Sequence, residues 1–233
     1  MPLRDHFHPP LSLRRHFHAF HNAWATFIAS ELNRQLPDGY FAEPNVQFGI
    51  EIDVAAFDEG LSDGSPVLTG WTPPEPVATI PLTLIGDVVE VNVFQTEDGP
   101  ILIGTVEIVS PSNKDRAEER EALVTKCASY LQAGLGLVLI DAVTSRRGNL
   151  HAELLQRVSA TQEAYGESDL YASAYHPVKV DEDVRLTIWH EPLSIGRALP
   201  TLPLWLRGGP CLRLDLEACY ERTCLEQKMS VAG

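Results

Sequence analysis

The sequence is poor in cysteine and in long apolar runs, and each shortage excludes a class of protein. Its four cysteines, none of them in a CxxC pair, predict reduced thiols rather than a disulfide framework. No apolar run approaches the roughly 18 residues that cross a bilayer. The N-terminal segment also lacks the apolar core of a secretory signal. We therefore expect a cytoplasmic protein without a membrane partner.

Positive charge is also scarce. The 233 residues include 18 Lys and Arg against 32 Asp and Glu, which gives a formal net charge of −14. A broad nucleic-acid-binding surface needs a basic footprint, so this balance argues against one. It leaves room for a local basic rim that works together with metal ions. Also missing are the GxSxG, Walker and Rossmann glycine motifs that indicate serine hydrolases and nucleotide-binding folds.

The apolar pattern predicts helices and a mixed sheet within a single domain over residues 1–233. Helical spacing covers 12–36, 115–134 and 215–228. Extended runs predict strands at 40–57 (one or two strands), 88–94, 101–109, 135–143, 169–176 and 184–193. If strands 101–109 and 135–143 are parallel, the helix between them is a right-handed crossover. The fold class is then α/β, with a mixed central sheet flanked by helices.

Two segments depart from this regular alternation. Residues 58–87 are dense in Gly, Pro and Asp, and they predict a loop-rich insertion with edge pairing towards its end. Residues 169–233 predict a C-terminal elaboration of peripheral strands and a last helix. Within it, the stretch "LPTLPLWLRGGP" is interpreted as a Pro-rich connection.

One carboxylate, Glu107, stands inside a strand that otherwise has the composition of a core strand. In "TVEIV" its neighbours Val106 and Ile108 take the opposite face of the strand. Burying an unpaired charge costs on the order of several kcal/mol because the charge loses its hydration. Glu107 is therefore expected to be paired, hydrogen-bonded or bound to a metal.

Asp53 and Lys126 can converge on Glu107. If the strand that carries Asp53 lies next to 101–109, the two carboxylates form a hard-oxygen site suited to Mg²⁺ or Mn²⁺. Lys126, on helix 115–134, can reach over the sheet towards Glu107. There its ammonium group can stabilise charge on a phosphate or orient an attacking water.

Each of these residues also has a purely structural interpretation. Glu107 can be a salt-bridge or capping partner, and Asp53 can bond backbone amides at a strand end. Lys126 can lay its aliphatic stem along an apolar face. Only the convergence of all three on one pocket favours a functional site.

Other polar residues have ordinary structural interpretations by default. The N-terminal histidines are expected at the surface or at the core margin, with His21 as the strongest exception; they are His6, His8, His16, His18 and His21. Arg146 and Arg147 are expected to be solvated loop arginines, with phosphate contact as the alternative. Ser110 and Ser112 are expected to be turn and helix-start groups.

A longer motif carries a resemblance. The stretch "TVEIVSPSNKDRAEEREALVTKCASYLQAGLGLVLIDAV" resembles the core of the domain-of-unknown-function (DUF) 4058 family and of the Uma-type restriction-endonuclease-like proteins. The shared positions are Glu107, Ser110, Pro111, Lys126, Tyr130, Gly134 and Asp141. The resemblance to the DUF family extends over most of the chain, including "FHNAWATFIASELNRQLPDGY" near its start.

The resemblance implies a PD-(D/E)xK nuclease-like core, in which two acids bind a divalent metal and a lysine completes the site. Glu107 is the second acid. The first is Asp53, with Glu43, Glu51 and Glu90 as open alternatives. Val109 stands where the commoner pattern has its lysine. In the Uma-type variant the following helix supplies that residue, which fits Lys126, with Lys114 in the turn as its rival.

The expected function is a nuclease that depends on Mg²⁺ or Mn²⁺ and acts on DNA. Asp53, Glu107 and Lys126 would be catalytic, and Asp53 and Glu107 would bind the metal. Lys114 and Arg146 would contact the nucleic acid. The alternative is a catalytically inactive descendant of the fold that serves binding or assembly. The sequence leaves the oligomeric state open, with a homodimer compatible with it.

Overall fold

The centre of the fold is a seven-stranded mixed sheet with helices on both faces. The computed structural model describes residues 1–48, 50–58, 70–82, 100–159, 168–181 and 183–229, with the side chains of 46–51 left aside. The helices are α1 (Phe17–Asn33), α2 (Pro111–Asp115), α3 (Ala117–Gln132), α4 (Leu150–Val158) and α5 (Leu216–Glu226). The strands are β1 (Tyr40–Phe48), β2 (Ile50–Asp58), β3 (Ala78–Pro81), β4 (Ile101–Ile108), β5 (Gly136–Asp141), β6 (Tyr171–Val180), β7 (Asp183–Pro192), β8 (Thr201–Trp205) and β9 (Cys211–Asp215).

The sheet has the order β1-β2-β4-β5-β6-β7-β3, and β8 and β9 form a separate two-stranded sheet. β4 and β5 are parallel, with Glu107 beside Leu139, and the other neighbours are antiparallel. The chain between the parallel strands runs through α2 and α3. This arrangement confirms the predicted mixed sheet flanked by helices, and it meets the condition, a parallel pair, on which the predicted crossover depended.

Alternate residues of the central strands point to opposite faces of the sheet and belong to two separate hydrophobic cores. Val138 and Ile140 of β5 pack with α1, α5 and the β8–β9 sheet. Leu137 and Leu139 pack on the other side with α3 and α4. Because β5 is buried on both faces, its sequence is an unbroken apolar run up to Asp141. Glu107 shares the face of β4 that meets α3.

The predicted helix 115–134 is present as α3, and a separate five-residue helix that was not predicted, α2, precedes it. Arg116 has an extended backbone (φ −130°, ψ 158°) and separates α2 from α3. The short α2 begins at Pro111, and the side chain of Asn113 accepts the Ser110 N–H at 2.8 Å. At the other end, Gly134 adopts a positive φ of 77° as predicted for the residue that closes α3.

The C-terminal part of the chain departs further from the prediction. β6 and β7 belong to the central sheet rather than to its periphery. The Pro-rich connection contains β8 and the turn that leads to β9, and in this pair Pro203 lies opposite Arg213. A proline is tolerated there because the Arg213 main chain bonds elsewhere: its N–H donates to Gln35 Oε1 at 2.9 Å, and its carbonyl accepts from Gln35 Nε2 at 2.8 Å.

Two further expectations concern element boundaries. The edge pairing expected late in 58–87 is present as β3, which pairs with β7, whereas the predicted strand 88–94 lies outside the described residues. α4 was not predicted, although Asn149 caps it by accepting the Ala152 N–H at 2.9 Å.

In the described ranges, no helix combines the length and apolar character needed to cross a bilayer.

We predict that Gly136→Ala destabilises the protein strongly. A Cβ at this position would lie 1.8 Å from the Trp205 carbonyl oxygen, so β5 and β8 would have to separate. We expect a loss of about 3 kcal/mol in unfolding free energy, measured by urea denaturation. The control is Gly208→Ala, where φ is 67° and nothing lies within 4 Å, with an expected loss of about 1 kcal/mol. Equal losses would contradict the close-contact argument.

Candidate functional site

A cleft of about 500 Å³ opens at the carboxyl end of β4. Its walls come from α1 on one side and from α2 and α3 on the other. Asp53, Glu107 and Lys126 all line it. The structure therefore brings together the three residues that the sequence singled out.

Glu107 is buried at the bottom of the cleft, with 2% of its surface exposed. Lys126 Nζ donates to its Oε2 at 2.7 Å, and the Tyr130 hydroxyl donates to its Oε1 at 3.2 Å. Both donors come from one face of α3, because they are four residues apart. Burial raises the pKa of Glu107 to about 7; Lys126 opposes this shift, and the nearby charge of Asp53 adds to it.

Asp53 lies one residue beyond the last paired positions of β2 and β4, Val54 and Val106, and so stands opposite Glu107. Its Oδ2 accepts the backbone N–H of Ile108 at 2.7 Å. The carboxylate therefore bonds a backbone N–H of β4 at the point where the backbone pairing of β2 and β4 ends. This is the structural role expected as the alternative, and it coexists with the position of Asp53 in the cleft.

His21 of α1 holds the same peptide from the other side. Its Nε2 donates to the Ile108 carbonyl at 2.9 Å and lies 3.5 Å from Asp53 Oδ1. Burial lowers the pKa of His21, but the hydrogen bond to Asp53 and its charge outweigh that effect and raise the pKa to about 9. At neutral pH the ring is therefore an imidazolium between two oxygens. Among the histidines, His21 was expected to be the exception.

The donor set fits Mg²⁺ or Mn²⁺ by chemical type. The Asp53 and Glu107 carboxylates are hard oxygen ligands, and Mg²⁺ is commonly held by only one or two protein carboxylates. Across the described ranges, no group of three or more His, Cys, Asp and Glu side chains is arranged to hold a metal. Lys126 and His21 contact these carboxylates already, so they compete with any cation.

Lys114 does not face the cleft, which corrects both roles expected for it. Its side chain is fully buried; Nζ donates to Asp141 Oδ2 at 2.8 Å and to the Asp169 carbonyl at 3.4 Å. It is therefore neither the rival of Lys126 nor, in this structure, able to touch a nucleic acid. Burial raises the pKa of Asp141 to about 6, although Lys114 opposes the shift. Arg146 is exposed and bonds Asp115.

The structure also distinguishes between the alternatives for the first acid. Glu43 is exposed on the edge strand β1, outside the cleft lining. Glu90 and the side chain of Glu51 lie outside the described part of the chain. Asp53 is thus the candidate that the structure places beside Glu107.

The sequence did not predict how Tyr130 or Ile108 contributes. Tyr130 belongs to the motif, and its spacing from Lys126 was the available signal that both contact Glu107. The role of Ile108 could not be predicted from the sequence, because its contacts with Asp53 and His21 are made by backbone atoms. Ser110 does act as the expected helix-start group: its Oγ donates to Asn113 Oδ1 at 2.8 Å.

We predict that His21 stabilises the fold in a pH-dependent way. Because its folded-state pKa is raised, the stabilisation is complete below its ordinary value of 6.5 and is lost as pH rises through about 9. The shift corresponds to at most about 3 kcal/mol. Unfolding free energy measured in EDTA between pH 6 and pH 10 should fall for the wild type and fall less for His21→Gln.

The control for this experiment is His18→Gln. His18 lies on the same helix, is exposed and hydrogen-bonds only Asn22 within the described residues. It should keep the wild-type pH profile. Identical profiles for wild type and His21→Gln would contradict the assignment of a clamping imidazolium.

Comparison with known proteins leaves the site to be interpreted from its own geometry. No protein-family model matches the chain. A search of the curated proteins and a search of the solved structures likewise returned no match.

Proposed function

We propose that the chain hydrolyses phosphodiester bonds of nucleic acid, most simply DNA, with a divalent metal as cofactor. The observation that carries the proposal is the meeting of Asp53, Glu107 and Lys126 in one cleft. These residues lie on three different elements, and only their chemistry linked them in the sequence. The resemblance to the Uma-type proteins supports the same assignment, with a PD-(D/E)xK-like core.

Asp53 and Glu107 would hold the metal. A bound Mg²⁺ or Mn²⁺ supplies a Lewis acid for the phosphate and lowers the pKa of its water. The chain itself keeps Glu107 in place: Tyr130 and Lys126 each bond one carboxylate oxygen. The Ile108 peptide holds Asp53 in the same way. Both acids are therefore oriented before any substrate arrives.

Lys126 would stabilise the charge that develops on the phosphate. Its side chain is 21% exposed, whereas that of Glu107 is 3% exposed, so the ammonium group stands between the acid and the open cleft. Burial lowers the pKa of Lys126, but the charge and hydrogen bond of Glu107 outweigh it and raise the pKa. The lysine is thus a fixed cation at neutral pH. Such a preorganised charge stabilises a transition state more than a mobile one does.

A second candidate is a non-catalytic binding module on the same fold. Its support is the internal pairing of the site: His21 and Lys126 already balance the two acids. Val109, which stands where the commoner motif has its lysine, points the same way. In this case the cleft would bind a ligand without cleaving it.

Cleavage assays with point variants test the proposal. Purified protein should cleave single-stranded or duplex DNA with Mg²⁺ or Mn²⁺ and lose activity in EDTA. Glu107→Gln and Lys126→Met should each lower the rate by about a hundredfold or more, since the first weakens the metal site and the second removes the cation beside the phosphate.

The matched control is Asp141→Asn, which alters the other buried acid–lysine pair, outside the cleft. It should keep its activity in preparations whose circular dichroism confirms folding. Metal titration by calorimetry separates the two candidates: binding that depends on Glu107 without cleavage supports the module. Cleavage that survives both cleft substitutions would overturn the proposed site.

A further inference from the structure

Two arginines just before α1 carry charge that is not neutralised within the described part of the chain. Arg14 and Arg15 are both exposed. Arg15 donates to the carbonyl oxygens of Arg14 at 2.9 Å and Lys228 at 3.1 Å. The ion pairs of the described residues involve other arginines. In a chain of net charge −14, these two adjacent exposed arginines form a local positive surface.

This arginine pair leads directly into one wall of the cleft. The residues that follow it on α1, Phe17 and His18, both line the cleft. The Phe17 ring packs against Phe7 with a centroid distance of 4.5 Å and against His21 at 5.7 Å. The ring is mostly buried, since it also packs against His6, Phe20 and the core, and its remaining exposed part lines the cleft close to the two arginines in sequence. Proteins that bind single strands combine these two features, because bases stack on aromatic rings while cations hold the phosphates.

The opposite wall carries mixed charge: Lys126 lines the cleft, whereas the first turn of α3, outside the lining, is acidic. Glu118 and Glu119 are exposed in the first turn of α3. Glu119 lies one turn before Leu123, which lines the cleft. A second phosphate backbone on this side would meet like charge. Within the cleft one strand therefore meets the cation Lys126, whereas a second backbone would lie beside the acidic first turn of α3.

We infer that the cleft takes single-stranded rather than duplex nucleic acid, with the strand running over Arg14 and Arg15 and one base on Phe17. The inference rests on the proposed function for the chemistry and adds the form of the substrate. A duplex hides its base faces and brings two backbones. The cleft volume of about 500 Å³ suits one nucleotide with its base unstacked.

Binding measured without cleavage tests this inference. Fluorescence anisotropy in EDTA should compare a labelled single-stranded DNA of about 12 nucleotides with its duplex. We expect the single strand to bind at least about tenfold more tightly. The double variant Arg14→Glu/Arg15→Glu should weaken single-strand binding at least about tenfold and reduce the salt slope by about 0.7 for each phosphate that is no longer neutralised. Phe17→Leu should weaken it as well.

The matched control is Arg185→Glu/Arg207→Glu, which makes the same charge change at the opposite end of the sheet. Both arginines are exposed there; Arg207 donates its N–H to Ile103 near the start of β4. This control should bind within about twofold of the wild type. Equal weakening by the control, equal affinity for the duplex, or no single-strand binding would overturn the inference. Binding as expected without metal-dependent cleavage would instead overturn the proposed reaction and leave the inferred substrate form standing.

Discussion

The cleft depends on one buried charge, the carboxylate of Glu107. Removing a carboxylate from water is costly unless its oxygens are bonded, and losing one partner of such a pair costs about 3–5 kcal/mol. Both partners, Lys126 and Tyr130, come from α3. The docking of α3 on β4 is therefore tied to the chemistry of the site. A shift of that helix would break the cleft and leave a charge unpaired at the same time.

Two buried acids and two lysines explain why the choice between Lys114 and Lys126 could not be made from the sequence. The parallel strands β4 and β5 each carry one acid near the carboxyl end, Glu107 and Asp141, and each acid binds one lysine. Which lysine goes to which acid depends on the break between α2 and α3. Arg116, whose extended backbone makes that break, carries no signal that a periodicity argument detects.

The sequence predicted what hydrophobic spacing dictates: the mixed sheet flanked by helices and the end of α3 at Gly134. The parallel pair and the meeting of Asp53 with Glu107 were conditional on which strands lie side by side, which the sequence left open. It failed where tertiary contacts decide. Pro203 indicated a connector, but it fits β8 because the main-chain groups of the facing residue, Arg213, bond Gln35 and not Pro203. The clamp on the Ile108 peptide depends on how α1 is placed, which no local pattern records. These contacts join residues far apart in sequence through backbone atoms that every residue has.

Local charge, rather than total charge, decides what the cleft can accept. The net charge of −14 repels a polyanion only over short distances, since the Debye length is about 8 Å at physiological ionic strength. Within that range, the acids of the site are already balanced by His21 and Lys126. Beyond them lie the exposed arginines before α1 on one side, and the exposed Arg116 with the glutamates of α3 on the other. The composition argues against a broad basic surface. It does not exclude a narrow one, and a narrow positive surface favours a ligand with a single charged edge.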